Sequence, residues 1–264
     1  KEHTFKIETV AEGLEDEAWS IAFLPNGDFF VTERSGNLRF VKNGTPQKPI
    51  QNSPVVFAQG QGGLLEVALH PDYANNGWIY LSYSKESPTK EKHSMTAVAR
   101  GKIVDGTWIQ HEQLFEAPAA YTFKAGAHFG SRFVFKDGYL FFSIGDRGSM
   151  NLAQDTASPN GGIHRIHDDG RIPADNPFVK TGWPTLWSYG NRNPQGLDKH
   201  PATGDLWESE HGPRGGDEIN IIERGKNYGW PVICHGINYD GNPITALTEK
   251  EGMEQPKHYW TPSI

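Results

Sequence analysis

The stretch WSIAFLPNGDFFVTERSGNLRFV, residues 19–41, decides the expected fold. Apolar residues recur at about every second position on both sides of the turn LPNGD, which contains Pro, Asn, Gly and Asp. Alternation of this kind around a short turn is typical of a β-hairpin that packs one face against a core. The stretch therefore predicts consecutive antiparallel strands.

The same module recurs along the chain. The further copies are LLEVALHPDYANNGWIYLSYS (64–84), SRFVFKDGYLFFSIGDRG (131–148) and PQGLDKHPATGDLWESEHGP (194–213). No apolar periodicity of 3.6 residues is long enough to predict a substantial helix. Hairpins that start roughly 45 to 67 residues apart, with long insertions between them, indicate an all-β fold. We expect a single β-propeller domain over residues 1–264, with functional loops between its strands.

Composition narrows the classes of function. The chain has 264 residues, a net charge of -7, 36% hydrophobic residues, 30 Gly and 18 Pro. The negative charge argues against nucleic acid as the main partner. No apolar run approaches the ~18 residues of a membrane span. The single cysteine, Cys234, excludes an intrachain disulfide and a multi-cysteine metal site.

Two segments are less patterned than the hairpins, residues 84–126 and 232–258. The charged run SKESPTKEKHS at residues 84–94 predicts a surface loop. The sequence ends on HYWTPSI without a turn or a closing strand, although closure protects the edge strands of a propeller. We therefore expect this chain to lack C-terminal blades, with a four-bladed ring of large blades as the alternative.

His128 and Asp146 are the first candidate catalytic pair. His128 lies in GAHFGSR, and Asp146 ends the same hairpin in SIGDRG. A hairpin can bring its two ends together, and a carboxylate bonded to one imidazole nitrogen fixes the tautomer and makes the other nitrogen a better base. A packed loop histidine and a turn aspartate fit the same residues.

The loops after the third hairpin supply further candidates. Arg192 offers donors suited to carboxylates, and Asn193 can both donate and accept hydrogen bonds. Carbonyl oxygens before and at Pro213 could bind a hard cation such as Ca²⁺, and Glu218 with the Tyr228 carbonyl could bind a second one. The alternatives are an arginine that ties down a loop, an Asn-Pro turn and solvated carboxylates.

Other motifs are weaker. His164 and His167 form H-x-x-H without the glutamate of the metalloprotease pattern, so zinc is not predicted. The sequence has no Walker A motif and no strand–GxGxxG–helix unit, which argues against a bound nucleotide. A Ser-His-Asp hydrolase is compatible with the composition, but a G-x-S-x-G elbow is absent from the sequence.

Five motifs taken together resemble the soluble PQQ-dependent sugar dehydrogenases, nearest to their aldose sugar dehydrogenase branch. They are GQGGLLEVALHPDY (60–73), HFGSRFVFKDGYLFFSIGDRG (128–148), GRIPADNPF (170–178), WSYGNRNPQGL (187–197) and EHGPRGGDEINIIERGKNYGWP (210–231). The resemblance extends from about Trp19 to Trp260. It implies a six-bladed β-propeller of four-stranded antiparallel blades, with pyrroloquinoline quinone (PQQ) across its top face over a Ca²⁺. It also implies a periplasmic or secreted location.

The resemblance assigns catalytic and substrate roles. His128 matches the base that takes the proton of the anomeric hydroxyl while hydride passes from C1 to C5 of the quinone. Asp146 matches the carboxylate that supports this histidine. Gln61 matches a polar residue near the substrate, and Trp260 falls near an aromatic residue on the substrate side.

Cofactor and metal roles follow from the same resemblance. Arg192 and Asn193 match the pair that contacts the quinone. Gly212 and Pro213 match the carbonyl donors to the Ca²⁺ of the cofactor. A second, structural Ca²⁺ site is implied at two residues, Glu218 and Tyr228.

The leading hypothesis is a PQQ- and Ca²⁺-dependent enzyme that oxidises aldose sugars at C1 to lactones and passes electrons to an unknown acceptor. The alternative is a propeller that binds a sugar or a protein without chemistry, because fold does not fix function. A propeller lactonase comes last, because it would need a metal held by side-chain carboxylates and amides, and the sequence shows no such cluster.

Overall fold

Sixteen strands form four antiparallel sheets of four strands each within residues 4–263, which are the residues that the computed structural model describes. In every sheet the strands lie side by side in chain order. This arrangement confirms the all-β propeller fold with four-stranded antiparallel blades. Four blades lie in this part of the chain.

The strands have the following bounds. The first sheet contains β1 (Ala18–Phe23), β2 (Phe29–Glu33), β3 (Leu38–Lys42) and β4 (Thr45–Pro46). The second contains β5 (Leu64–Leu69), β6 (Ile79–Glu86), β7 (Ser94–Val104) and β8 (Thr107–Glu116). The third contains β9 (Phe133–Lys136), β10 (Tyr139–Ile144), β11 (Gly162–His167) and β12 (Leu186–Tyr189). The fourth contains β13 (Pro194–Lys199), β14 (Leu206–Glu210), β15 (Asp217–Ile222) and β16 (His258–Trp260).

Helices are short. Residues 4–263 contain one α-helical turn, α1 (Tyr73–Asn76), and 3₁₀ turns at Ala119–Tyr121 and Met150–Gln154. Among the described residues, none of these helices has the length and apolar character needed to cross a membrane. Each predicted hairpin forms the first strands of one sheet, so the positions of all four are confirmed.

Strand β10 shows why these sequences form buried strands. Leu140 and Phe142 pack with Tyr80 of the second sheet, whereas Phe141 packs with Leu206 of the fourth. A strand that is covered on both faces needs apolar residues at consecutive positions, and the run YLFFSI provides them. Full burial of such a side chain stabilises the fold by roughly 1.5–3 kcal/mol.

Residues 84–126 are more regular than the sequence suggests. They contain β7 and β8, the two longest strands of the described chain, joined by a turn at Asp105 and Gly106. The predicted surface loop shrinks to residues 87–93, because the start and the end of the charged run belong to β6 and β7. Strand β8 is the outer edge of its sheet and half of its residues are exposed, which explains why its sequence lacks apolar alternation.

The first strands of the four sheets meet at the centre of the propeller. Strand β1 contacts β5, β5 contacts β9, and β9 contacts β13. Arg132, next to β9, pairs with Glu66, donates to the Gln195 carbonyl at 2.9 Å and lies 4.7 Å from the Trp19 ring. A single side chain therefore joins all four blades below the pocket that Trp19 and Gln195 help to line.

Candidate active site

An open pocket of about 670 Å³ lies where the first strands meet. Six of the residues singled out in the sequence line it: Gln61, His128, Arg192, Asn193, Gly212 and Pro213. Pockets of several hundred Å³ with a few convergent polar groups are typical of small-molecule sites. The structure thus brings together residues that lie up to about 150 positions apart in the sequence.

His128 and Asp146 are hydrogen-bonded. His128 precedes β9 and Asp146 follows β10, so the antiparallel pairing of these strands places the two residues side by side. The distance between His128 Nδ1 and Asp146 Oδ1 is 2.6 Å. Since a carboxylate accepts, Nδ1 carries the proton of the neutral ring, and Nε2 is the free acceptor of a residue that lines the pocket.

Asp146 is held in place by two more donors. Its side chain is 1% exposed. Oδ1 also accepts from the Gly148 N–H at 2.7 Å, and Oδ2 accepts from the indole Nε1 of Trp230 at 2.8 Å. Together with His128, these N–H groups stabilise the ionised carboxylate and fix its orientation.

The backbone of His128 is also supported. It has a φ of 55°, in the left-handed region that few non-glycine residues occupy. Its N–H donates to Gln61 Oε1 at 2.8 Å, and the Gln61 N–H donates to the Gly126 carbonyl at 2.7 Å. Asn193 Oδ1 accepts from the Gly130 N–H at 3.2 Å. Gln61 and Asn193 therefore brace the loop that carries His128.

Arg192 places a fixed positive charge in the pocket wall. The residue is buried, and its Nη1 donates to the carbonyl oxygens of His211 at 3.0 Å and Gly212 at 2.7 Å. Its Nη2 lies 3.4 Å from the Tyr239 hydroxyl, and its guanidinium lies 5.4 Å from the centre of the Trp230 ring. A carbonyl oxygen has two lone pairs, so the Gly212 oxygen keeps one acceptor position beyond the bond to Arg192.

Two buried glutamates of β14, Glu208 and Glu210, and the half-buried Glu218 of β15 lie near Arg192. The strand register pairs Glu210 with Glu218 and Glu208 with Asn220, so that alternate residues share one face. Burial raises the pKa of Glu210 to about 7. Burial, and then the charge of Glu210, raise the pKa of Glu218 to about 8 and that of Glu208 well above its ordinary value.

Oxygen acceptors outnumber donors around these glutamates. Within residues 4–263, Asn191 Oδ1, Glu208 Oε1 and Asn220 Oδ1 are buried and have no hydrogen-bond partner. In the same range the carbonyl oxygens of Pro213 and Tyr228 accept no hydrogen bond. An excess of oxygen acceptors is the environment that Ca²⁺ prefers.

A cavity of about 10 Å³, the size of a single water or ion, adjoins the pocket at this point. Glu210, Glu218 and Tyr228 line it together with Gly212 and Pro213. No group of three or more His, Cys, Asp or Glu side chains in the described part of the chain is placed to hold a metal ion. A cation here would therefore depend on carbonyl oxygens as well as carboxylates.

Trp260, like Asp146, lines neither of the two cavities. It belongs to β16, where it pairs with Asp217, and its ring centre lies 4.5 Å from that of His258. Its role near the substrate stays a prediction.

Several pocket residues did not stand out in the sequence. Trp19, Arg34, Gln195 and Tyr239 line the pocket, and Trp230 reaches Asp146 from beneath it. Trp230 and Asp146 lie 84 residues apart in the sequence, so no local sequence pattern predicts the hydrogen bond between them. The signal nearest to it is the motif NYGW, in which a bulky aromatic residue follows a glycine in an otherwise polar loop.

The H-x-x-H motif has a structural role. His164 is fully buried, and its Nδ1 and Nε2 lie 2.9 Å from Thr185 Oγ1 and 2.8 Å from the Pro159 carbonyl. Because both nitrogens are hydrogen-bonded, neither is free to bind zinc. Burial lowers the pKa of His164 to about 3.

Comparison with known proteins places this geometry in a family. The family described as Glucose / Sorbosone dehydrogenase matches residues 15–264. The chain is 42% identical to Aldose sugar dehydrogenase YliI of Escherichia coli (strain K12), over 98% of this chain and 71% of that protein.

Solved structures agree with the sequence match. The soluble aldose sugar dehydrogenase of Escherichia coli in its apo-form superposes with a TM-score of 0.89, at 42% identity, over 94% of this chain and 73% of that chain. The PQQ-bound aldose sugar dehydrogenase of Streptomyces coelicolor superposes with a TM-score of 0.78, at 31% identity, over 96% of this chain and 70% of that chain. With a pocket that pairs a histidine with a buried carboxylate and a family match over nearly its whole length, this chain belongs to the Glucose / Sorbosone dehydrogenase family of enzymes.

Proposed function

We propose that this protein oxidises aldose sugars at C1 to lactones, with PQQ as the hydride acceptor and Ca²⁺ as the metal ion of the cofactor. The observation that carries the proposal is the 2.6 Å bond between His128 Nδ1 and Asp146, which leaves Nε2 of a pocket histidine as a proton acceptor. The names of the similar enzymes and the PQQ-bound form of one of them support it.

His128 acts as the general base. Its Nε2 takes the proton of the anomeric hydroxyl as the C1–H bond breaks, and the C1–O bond becomes the lactone carbonyl. PQQ, when bound, supplies the two-electron acceptor for the hydride. The imidazole gains a positive charge in this step, and the buried carboxylate of Asp146 stabilises that charge without moving.

Arg192 and Asn193 are the residues that would hold the quinone. PQQ carries carboxylates and carbonyl oxygens, which match the guanidinium donors of Arg192 and the amide of Asn193. Arg34 adds a second guanidinium to the pocket lining, anchored to the carbonyl oxygens of Gly60 at 2.9 Å and Gly62 at 3.2 Å. Both arginines are held by backbone carbonyls, so their charges are positioned before the cofactor binds.

Two cation sites follow from the oxygen-rich wall. We assign the Ca²⁺ of the cofactor to the carbonyl oxygens of Gly212 and Pro213, both at the pocket surface. We assign a structural Ca²⁺ to Glu218 and the Tyr228 carbonyl, beside the cavity of about 10 Å³. The raised pKa of Glu218 fits this assignment, because a carboxylate buried among other carboxylates gains most from a cation.

The resemblance also extends to architecture and location. We propose a ring of six blades for the complete fold and a periplasmic or secreted site of action, as in the family that the motifs resemble.

The test combines cofactor binding with turnover. Isothermal titration with PQQ and Ca²⁺ should show binding, and the loaded protein should reduce a dye when glucose is added. We expect His128→Ala to lower kcat by ~10²–10⁴-fold while the titration with PQQ is unchanged. His93→Ala, in the loop between β6 and β7, is the control and should keep full activity.

Two results would contradict the proposal. A loss of less than about tenfold in His128→Ala would remove His128 from the role of general base. Binding of PQQ and sugar by the wild-type protein without dye reduction would favour a propeller that binds and does no chemistry.

A further inference from the structure

Arg147 is a buried cation that the proposed reaction does not yet use. It directly follows Asp146 in the chain, its exposed fraction is 0%, and its φ is 56°. The guanidinium carbon lies 3.4 Å from the centre of the Phe129 ring. Burial lowers the pKa of Arg147 to about 9 while the charge of Asp146 raises it, so the side chain is cationic at neutral pH.

The guanidinium grips the loop that leads into His128. Nη1 donates to the Ala127 carbonyl, and Nη2 donates to the Ala125 carbonyl at 2.9 Å and to Ser94 Oγ at 3.2 Å. Arg147 therefore ties this loop to the first residue of β7. Both carbonyls belong to a short segment whose outer side is open to solvent.

Gln61 adds two further hydrogen bonds to the same loop. Its N–H donates to the Gly126 carbonyl, and its Oε1 accepts from the His128 N–H. Arg147 thus binds the carbonyl oxygens of residues 125 and 127, and Gln61 binds the carbonyl oxygen of residue 126 between them. Since His128 holds a left-handed backbone conformation, its loop needs such bonds to stay in one arrangement.

Arg147 also balances the charge of Asp146. A carboxylate that is 1% exposed is costly to keep ionised unless a positive charge lies nearby. The charge of Asp146 raises the pKa of Arg147, so the two side chains attract each other. The arrangement lets Asp146 remain an acceptor for His128 Nδ1 throughout the reaction.

We propose that Arg147 is a positioning residue for the oxidation: it clamps the loop of residues 125–127, so that His128 Nε2 faces the substrate. This inference rests on the proposed function for its kinetic consequence. Its structural consequence, the state of the His128–Asp146 bond, can be measured without cofactor or sugar.

The experiment compares Arg147→Met with a matched variant, Arg165→Met. Arg165 is another buried arginine and stacks 4.5 Å from the Tyr139 ring. Its Nε donates to Asn176 Oδ1 at 2.8 Å, away from the pocket. Proton NMR of the cofactor-free protein should show a downfield resonance from His128 Nδ1–H, identified by its loss in His128→Ala. Steady-state kinetics with PQQ, Ca²⁺ and glucose then give kcat and KM.

In Arg147→Met we expect the His128 resonance to broaden or disappear. We expect kcat to fall by roughly 10²-fold and KM to change by less than about threefold, because a misplaced base slows the chemical step more than it weakens binding. Arg147→Lys keeps the charge but not the two-pronged donor, so it should recover about tenfold of the lost kcat. Arg165→Met should lower the melting temperature and leave both the resonance and kcat unchanged.

Three results would overturn the inference. One is an intact resonance and a kcat within about threefold of wild type in folded Arg147→Met. Another is an equal loss of kcat in Arg147→Met and Arg165→Met, which would reduce Arg147 to general stability. If Arg147→Met does not fold, wild-type kcat and resonance in Arg147→Lys would refute the clamp. Absence of sugar oxidation in the wild type would refute the proposed function alone, because the resonance still tests the clamp.

Discussion

The two walls of the pocket differ in how their buried carboxylates are stabilised. On the His128 side (His128, Asp146 and Arg147), the carboxylate faces three N–H donors and a neighbouring cation. On the glutamate side (Glu208, Glu210 and Glu218), carboxylates pack against one another, and burial raises the pKa of each of them. On the His128 side, donors and a cation of the protein itself balance the charge of the carboxylate. On the glutamate side, the negative charge is balanced only when the carboxylates bind protons or a cation.

This difference separates two tasks of a dehydrogenase. A general base must be in place before the substrate arrives, so its orienting groups belong to the protein and are fixed in advance. A cation site gains its affinity from concentrated negative charge, and that charge destabilises the fold until the cation binds. The His128 side should therefore control the rate of the chemical step, and the glutamate side should control stability as a function of pH and Ca²⁺.

The largest effect is expected from a substitution that disrupts the hydrogen bonds on the His128 side. Asp146→Asn replaces two acceptor oxygens by one oxygen and one NH₂ group. If the amide oxygen faces the Trp230 N–H, the NH₂ group faces His128 and moves the ring proton to Nε2, where it blocks the base. If the oxygen faces His128, the NH₂ group faces the Trp230 N–H, so that two hydrogen-bond donors oppose each other and the bond from Trp230 is lost.

We expect kcat of Asp146→Asn to fall by ~10²–10⁴-fold, measured by dye reduction, with PQQ titration unchanged. Asp155→Asn is the control, because Asp155 is an exposed turn residue. Wild-type kcat in Asp146→Asn would mean that the carboxylate does not set the tautomer of His128.

The next largest effect concerns the glutamate side and is the dependence of stability on pH. The folded state holds protons on Glu210 and Glu218 up to about pH 7 and 8, whereas the unfolded chain releases them near the ordinary value of 4.5. At these two groups the folded state therefore binds more protons over this range, and their contribution to the free energy of unfolding should decrease as the pH rises from 5 to 8. The slope is at most about 1.4 kcal/mol per pH unit for each group.

Urea unfolding in EDTA and in Ca²⁺ measures this slope. Ca²⁺ should flatten it, because the cation stabilises the ionised carboxylates, and Glu218→Gln should flatten it in EDTA and remove most of the effect of Ca²⁺. Glu91→Gln, at an exposed site, should behave as wild type. Equal slopes for wild type and Glu218→Gln in EDTA would show that Glu218 does not hold a proton in the folded state.

The sequence predicts local features well and contacts across sheets poorly. The four hairpins and the His128–Asp146 pair were accessible because strand alternation, turn residues and hairpin geometry act over about 20 residues. Strand β8 was missed because an outer edge strand has little apolar patterning. The bonds from Arg147 to Ser94 and from Trp230 to Asp146 were missed because their partners lie far away in the sequence. The two carbonyls that Arg147 binds lie only 20 and 22 residues away, but a backbone acceptor leaves no signal in the residue type.

The smallest expected effect tests whether the two walls are independent, because Trp230 touches both. Its indole N–H donates to Asp146, and its ring lines the cavity beside Glu218. Trp230→Phe removes the donor and keeps an aromatic ring in place. A hydrogen bond to a charged group contributes about 1.5 kcal/mol at the lower end of its usual range, so kcat should fall roughly tenfold.

Stabilisation by Ca²⁺ should be unchanged in Trp230→Phe, since the oxygen ligands assigned to the cation remain. Trp207→Phe is the matched control, because the Trp207 indole N–H has no partner within residues 4–263, and its kcat should equal that of wild type. Kinetics and urea unfolding on the same variants measure both quantities. A change in Ca²⁺ stabilisation together with kcat would mean that Trp230 couples the walls, and then neither the base nor the cation site could be altered alone.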